Sequence, residues 1–156
     1  MHIGSAVIGP EGAHAAGRSL LQQMYRTHFG QEMPPIAIAP RGKPYFENSD
    51  VHFSISHTKT TVFCVLSHKP VGIDAEQIDR DIRLELAQKI LSAGEMAQFL
   101  KAEDRRTALL RFWVLKEAAA KCAGTGLQGY PKNTNFSLDD PRIRILNGCF
   151  VAVVTE

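Results

Sequence analysis

The run Ala108-Leu109-Leu110-Arg111-Phe112-Trp113-Val114-Leu115 constrains the fold more than any other segment. Wound as a helix it is apolar nearly all round, the signature of a helix held inside a domain and not laid on its surface. The rest of the chain must therefore wrap it. Glu117 and Lys121 continue the same helix at i and i+4, sharing one face with Trp113 a turn earlier. Charges on such a helix need partners, because a buried unpaired charge is expensive. The full helix is expected from about Asp104 to Cys122.

A second segment, Val71-Gly72-Ile73-Asp74-Ala75-Glu76, reads as a strand whose apolar run delivers two carboxylates. Strand side chains alternate, so Asp74 and Glu76 project to one side about 7 Å apart. With Glu117 they make three carboxylates, a set that suits a hard cation such as Mg²⁺, which completes its octahedron with water and phosphate oxygens. Each piece also has an ordinary explanation. Carboxylates at a strand end are commonly solvated turn residues, and a Glu-Lys pair at i, i+4 is commonly a helix-surface contact worth a few tenths of a kcal/mol.

Composition narrows the function classes. With 156 residues and 44% hydrophobic content the chain can form one substantial core or two small halves packed together. A formal net charge of +2, with no basic repeat or aromatic ladder, argues against a nucleic-acid partner. The start, Met1-His2-Ile3-Gly4-Ser5, lacks a charged segment followed by an apolar run, and no stretch approaches the ~20 apolar residues of a membrane span. A soluble cytoplasmic protein with no membrane partner is the expectation. Cys64, Cys122 and Cys149 are odd in number, widely spaced and in apolar context, so they read as buried thiols and not as disulfides or zinc ligands.

Periodicity predicts a helix over 13–29 with Gly30 as its C-cap, and a short strand over 36–39 before the turn Pro40-Arg41-Gly42-Lys43-Pro44. Residues 51–56 alternate Val51, Phe53 and Ile55 with His52, Ser54 and Ser56, predicting a strand with one core face and one polar face. Residues 61–67 form a more continuous apolar strand, and His68-Lys69-Pro70 leads into 71–76, predicting a three-stranded antiparallel meander. Beyond it, Leu84, Ala87, Ile90 and Leu91 mark a short helix, and Ser92-Ala93-Gly94-Glu95 is a capping-box pattern that by itself accounts for Glu95. Short strands are expected at 135–138, 142–146 and 149–154, the last two joined by Asn147-Gly148.

Four further elements suit a phosphate-rich ligand. Ser56 and His57 at a strand end offer donors, Lys43 in a Gly-Lys-Pro turn offers a cation, and Arg18 on the first helix can grip phosphate bidentately. Gly42-Lys43-Pro44-Tyr45-Phe46, Phe53-Ser54-Ile55-Ser56-His57-Thr58, Val71-Gly72-Ile73-Asp74-Ala75-Glu76 and Phe112-Trp113-Val114-Leu115-Lys116-Glu117-Ala118-Ala119-Ala120-Lys121, in this order, closely resemble the signature motifs of the 4′-phosphopantetheinyl transferase superfamily. The resemblance extends to Ala16-Gly17-Arg18-Ser19-Leu20-Leu21, Leu91-Ser92-Ala93-Gly94-Glu95 and Gly124-Thr125-Gly126-Leu127, and it is similar to the surfactin-synthetase-activating branch.

The resemblance implies an α+β fold of two similar halves, each of antiparallel strands packed on helices, here about 1–70 and 71–156 of a single domain. It also implies transfer of the phosphopantetheine arm of coenzyme A to a serine of an acyl or peptidyl carrier protein. By the same resemblance Asp74, Glu76 and Glu117 match Mg²⁺ ligands, and Arg18, Lys43, Ser56, His57 and Lys121 match coenzyme contacts. Glu117 is the candidate base for the serine proton, and Lys121 the cation beside the bond that breaks. A coenzyme-binding regulatory module without catalysis and a Mg²⁺-dependent phosphohydrolase are the competing readings.

Overall fold

In the computed structural model, which describes residues 1–126 and 134–156, the chain opens with strand β1 (His2–Val7) and helix α1 (Ala13–Phe29). Strands β2 (Ile36–Ile38), β3 (Pro44–Phe46), β4 (His52–His57), β5 (Thr61–Ser67) and β6 (Val71–Gln77) follow. A 3₁₀ turn at Leu84–Leu86 runs into the short helix α2 (Ala87–Ile90), then α3 (Ala93–Lys101), α4 (Arg105–Ala123), β7 (Ile143–Leu146) and β8 (Cys149–Thr155). This is an α+β fold with antiparallel sheets in the orders β1-β5-β4, β2-β3 and β6-β8-β7.

The apolar run takes the interior position its composition requires. Leu109, Leu110, Phe112, Val114 and Leu115 of α4 are fully buried, packed with Ile90, Phe99 and Phe150. The Asp104 carboxylate caps the helix start by accepting from Thr107 N at 3.0 Å. Gly124 ends it in the left-handed region at φ 67°, which a side chain would strain. Leu127, the last residue of that turn motif, lies outside the described residues. Two further cores complete the interior: α1 on the outer face of the first sheet through Leu21, Tyr25, Phe53, Val62 and Leu66, and a layer between the sheets where Phe63 and Val65 meet Ile73, Ala75 and Val151. Because β5 is covered on both faces, its sequence is apolar without alternation.

Two expectations are corrected. β6 does not extend a meander with β4 and β5: β1 occupies the free edge of β5, and β6 pairs with β8 in the other sheet. Pro70 stands in the connection, and the chain crosses there from one sheet to the face of the next. The polar face of β4 is an interior one, with Ser54 and Ser56 both buried against β6. Residues 135–138 are no strand, because their backbone amides are taken by side chains: Phe136 N donates to Glu95 Oε1 at 2.9 Å and Leu138 N to Gln98 Oε1 at 2.8 Å. The Asn147-Gly148 turn, the capping box at Ser92 and three buried free thiols are as expected. No helix among the described residues is long and apolar enough to cross a membrane.

Gly72 sets how closely β6 lies on α4. A Cβ there would sit well inside van der Waals distance of the Ala118 carbonyl oxygen and the Cys122 amide nitrogen, both backbone atoms of α4. Gly72→Ala therefore has to push strand and helix apart and is expected to cost about 2–4 kcal/mol. A urea unfolding midpoint that falls without a change in slope is the check.

Candidate active site

The close approach at Gly72 brings one face of α4 over the end of β6. Trp113, Glu117 and Lys121 stand a turn apart on that face, and Glu76 and Asp74 point at them from the strand. Lys121 Nζ donates to Asp74 Oδ1 at 2.8 Å and to the Ile73 carbonyl at 3.1 Å. Trp113 Nε1 donates to Glu76 Oε1 at 3.1 Å. The alternation read from the sequence thus holds: both strand carboxylates face the helix.

The second sheet edge adds β4. Ser56 Oγ accepts from Ala75 N at 3.2 Å and donates to Asp74 Oδ1 at 3.0 Å, while Ser54 Oγ accepts from Ile73 N at 3.1 Å. The two strands are therefore stitched by serine hydroxyls, and Asp74 Oδ1 receives both an ammonium and a hydroxyl. The other oxygen, Asp74 Oδ2, is buried without a hydrogen-bond partner among the described residues, and so is Glu117 Oε1. Such orphans cost roughly 1–3 kcal/mol each, more when charged, and are rare unless a ligand completes them.

Charge balance explains the proton affinities. Burial raises the Glu117 carboxyl to a pKa of about 7, the charge of Asp74 adds to this, and Lys121 opposes it. Burial, and then Asp74, also raise Glu76, against the pull of Arg80 and the Trp113 hydrogen bond. Lys121 pairs with Asp74 and Arg80 pairs with Glu76. Glu117 has no ion pair among the described residues.

A pocket of about 400 Å³ opens beside these groups, lined by Lys43, Pro44, Phe53, Ile55, Glu117 and Lys121 among others. Pro44, Phe53 and Ile55 also wall a neighbouring pocket of about 210 Å³ that holds Arg18 and His57. The phosphate-suited residues thus fall into two groups either side of one apolar ridge. Ser56 lies at the strand junction. Lys43 lines the larger pocket, and its Nζ donates to the Cys122 carbonyl at 2.7 Å, at the end of α4, and to Val71 O at 3.4 Å. Burial lowers the Lys43 pKa. His57 is exposed, its Nδ1 3.2 Å from Thr58 O.

Among the described residues no group of three His, Cys, Asp or Glu side chains is gathered as a metal-ligand set, since Glu76 is turned to Arg80 and Trp113. The donor chemistry nonetheless suits a hard cation: two buried carboxylate oxygens lack partners among the described residues, and the charge of Asp74 raises the proton affinity of Glu117.

Comparison with known proteins decides the family. Residues 70–149, just over half of the chain and including Asp74, Glu76, Glu117 and Lys121, match the family model for the 4′-phosphopantetheinyl transferase superfamily. The chain belongs to that superfamily. Among curated relatives, the 4′-phosphopantetheinyl transferase gsp of Aneurinibacillus migulanus is 35% identical over 88 residues, covering 55% of this chain and 36% of that protein. The 4′-phosphopantetheinyl transferase of Bacillus subtilis is 35% identical over 89 residues, 55% of this chain and 39% of its own length. Psf-1 of Bacillus pumilus is 31% identical over 122 residues, 72% of this chain and 52% of its own length. The matches thus span about half or less of these transferases.

Sequence reasoning missed two sets of residues at or near the site. Arg80 was hidden in a turn, its only signal being its position four residues after Glu76. Lys116 and Glu95 form a fully buried ion pair at 2.8 Å, with Glu95 also accepting from Ser92 N and Phe136 N. The capping box is therefore only part of what Glu95 does, and the need of an interior helix for charge partners was the signal for this pair.

Glu117 yields a pH prediction in buffer free of divalent cations. Its folded pKa lies above the unfolded value, so its contribution to stability is present below about pH 4.5, declines as pH rises, and is gone above about 7. Glu117→Gln lacks this loss. Its melting temperature relative to wild type should climb between about pH 4.5 and 7 and then level, corresponding to on the order of 1–3 kcal/mol. A difference independent of pH would show that burial does not press on this carboxyl.

Proposed function

We propose that this chain transfers the 4′-phosphopantetheine arm of coenzyme A to a serine of an acyl or peptidyl carrier protein. The observation that carries the reading is the pair of orphaned carboxylate oxygens, Asp74 Oδ2 and Glu117 Oε1, beside a pocket whose rim bears Lys43 and Lys121. Membership of a superfamily named for this transfer supports it. So does the division of the sheets, β1-β5-β4 and β2-β3 within residues 2–67 and β6-β8-β7 within 71–155, which agrees with two halves, about 1–70 and 71–156, meeting along the serine seam. The reaction needs no secreted or membrane setting, and we place it in the cytoplasm.

In this reading Asp74, Glu76 and Glu117 would hold Mg²⁺, which when bound neutralises the coenzyme pyrophosphate and makes its phosphorus attackable. The carrier serine oxygen bonds to the phosphorus bearing the pantetheine arm, and the bond from that phosphorus to the bridging oxygen breaks. Adenosine 3′,5′-bisphosphate leaves with that oxygen. Glu117, which lines the pocket and whose Oε1 has no hydrogen-bond partner among the described residues, takes the serine proton. Lys121, already fixed by the Ile73 carbonyl and Asp74, keeps its ammonium beside the charge that develops on the departing phosphate. Phe53, Ile55 and Pro44 exclude water from one side of the coenzyme, and His57 and Arg18 across the ridge meet its 3′-phosphate.

Incubation with coenzyme A, Mg²⁺ and an apo-carrier, read by intact mass of the carrier, should show addition of one arm, and Asp74→Ala should slow it by roughly 100-fold or more. Coenzyme binding without mass gain on several carriers would point to a binding module. Coenzyme cleavage with no carrier present would point to a phosphohydrolase. His57→Ala should raise KM for coenzyme A about tenfold or more while changing that for the 3′-dephospho form little; equal losses would remove His57 from the 3′-phosphate.

A further inference from the structure

Arg80 occupies an unusual position for a residue that no part of the proposed chemistry uses. Its guanidinium pairs with Glu76 Oε1, the same oxygen that accepts from Trp113 Nε1, and it lies over the indole, 5.8 Å from the ring centroid. One oxygen of a proposed metal ligand is thus engaged by two protein donors. The backbone beneath Arg80 is anchored: Arg80 N donates to Gln77 O at 2.9 Å, and Arg106 Nη1 donates to Ile78 O at 2.6 Å and Arg80 O at 3.0 Å. What can move is the side chain, which is 40% exposed. It also lines an open cleft with Asp81, Ile82, Arg83, Glu85 and Lys89, whose two carboxylates offer a second seat.

We propose that Arg80 is the internal counter-cation of the site, holding Glu76 while no divalent cation is bound and displaced toward the cleft when one binds, so that it sets the threshold for metal loading. The inference rests on the Mg²⁺ reading above. Two cations cannot share one carboxylate oxygen at contact distance without strong repulsion, so pairing with Arg80 and ligation of metal compete. Competition of this kind is reciprocal: the Arg80 contact weakens cation binding by the same factor by which a bound cation weakens the Arg80 contact. Arg80 is accordingly a positioning residue. It keeps Glu76 folded against Trp113 in the empty site and releases it on loading.

Trp113 is the only tryptophan in the chain, which makes the exchange observable without turnover. Mg²⁺ alone is titrated into the full chain, following Trp113 fluorescence and heat release, in wild type, Arg80→Ala and Arg83→Ala. Arg83 is exposed on the same cleft and carries the same charge, so its removal reports the through-space effect of one positive charge. The expected result is Mg²⁺ binding about fivefold or more tighter in Arg80→Ala than in both other proteins. The fluorescence change seen on loading wild type should be largely present in metal-free Arg80→Ala. In metal-free buffer Arg80→Ala should melt below wild type and gain more from Mg²⁺, which also shows that it folds. Equal affinity in Arg80→Ala and wild type, or an equal gain in Arg83→Ala, overturns the proposal and leaves the metal site standing. Absence of Mg²⁺ binding in every variant overturns both.

Discussion

Two serine hydroxyls join the halves of this protein where a backbone ladder would ordinarily be expected. Ser54 and Ser56 on β4 accept the Ile73 and Ala75 amides of β6, so strands of different sheets run side by side without sharing a ladder. Each bond is worth only about 1 kcal/mol net, but an unmet buried amide would cost more. The arrangement also frees the serine at the strand end for a third contact. Ser56 reaches Asp74, and through it the orientation of the carboxylate is coupled to the packing of the two sheets. The seam and the apolar layer of Phe63, Val65, Ile73, Ala75 and Val151 together fix the pocket walls from β4 against the acidic face of β6.

The same seam explains why the sequence conveyed the local elements better than the way they are joined. The strand ending in Asp74 and Glu76, the interior helix and the i, i+4 spacing of Glu117 and Lys121 follow from local periodicity, and local periodicity is what a sequence displays directly. The seam does not. A serine at every second position of a strand has the pattern of a solvated face, and only tertiary structure reveals that its hydroxyls replace a neighbouring strand. β1 was overlooked because His2-Ile3-Gly4-Ser5-Ala6-Val7 carries little apolar signal, being a half-exposed edge strand. That omission left a vacant edge on β5, which β6 was wrongly given.

Residues 135–138 were misread for a related reason. Their alternation is real, with Phe136 buried, but the amides are satisfied by Glu95 and Gln98 from α3. Glu95 serves here as a hub, accepting from Ser92, Phe136 and the buried ammonium of Lys116. A buried ion pair stabilises little once desolvation is counted, yet losing one partner costs several kcal/mol. Lys116 and Glu117 are neighbours in sequence with opposite duties: one is sealed into the core against α3, the other faces the pocket.

The spacing of Trp113, Glu117 and Lys121 on α4 has a consequence for how such a chain can change length. Each residue added to or removed from a helix turns everything beyond it by about 100°. A one-residue change in β6 would throw Asp74 and Glu76 to opposite faces relative to their present partners. Helix and strand therefore act as two graduated rules laid against each other, readable only in one alignment. Insertions and deletions suit the connections that bear no such graduation, the turns after α1 and between α3 and α4 among them. In any variant that retains the site, the interval from Trp113 to Lys121 stays at eight residues while those turns are free to differ.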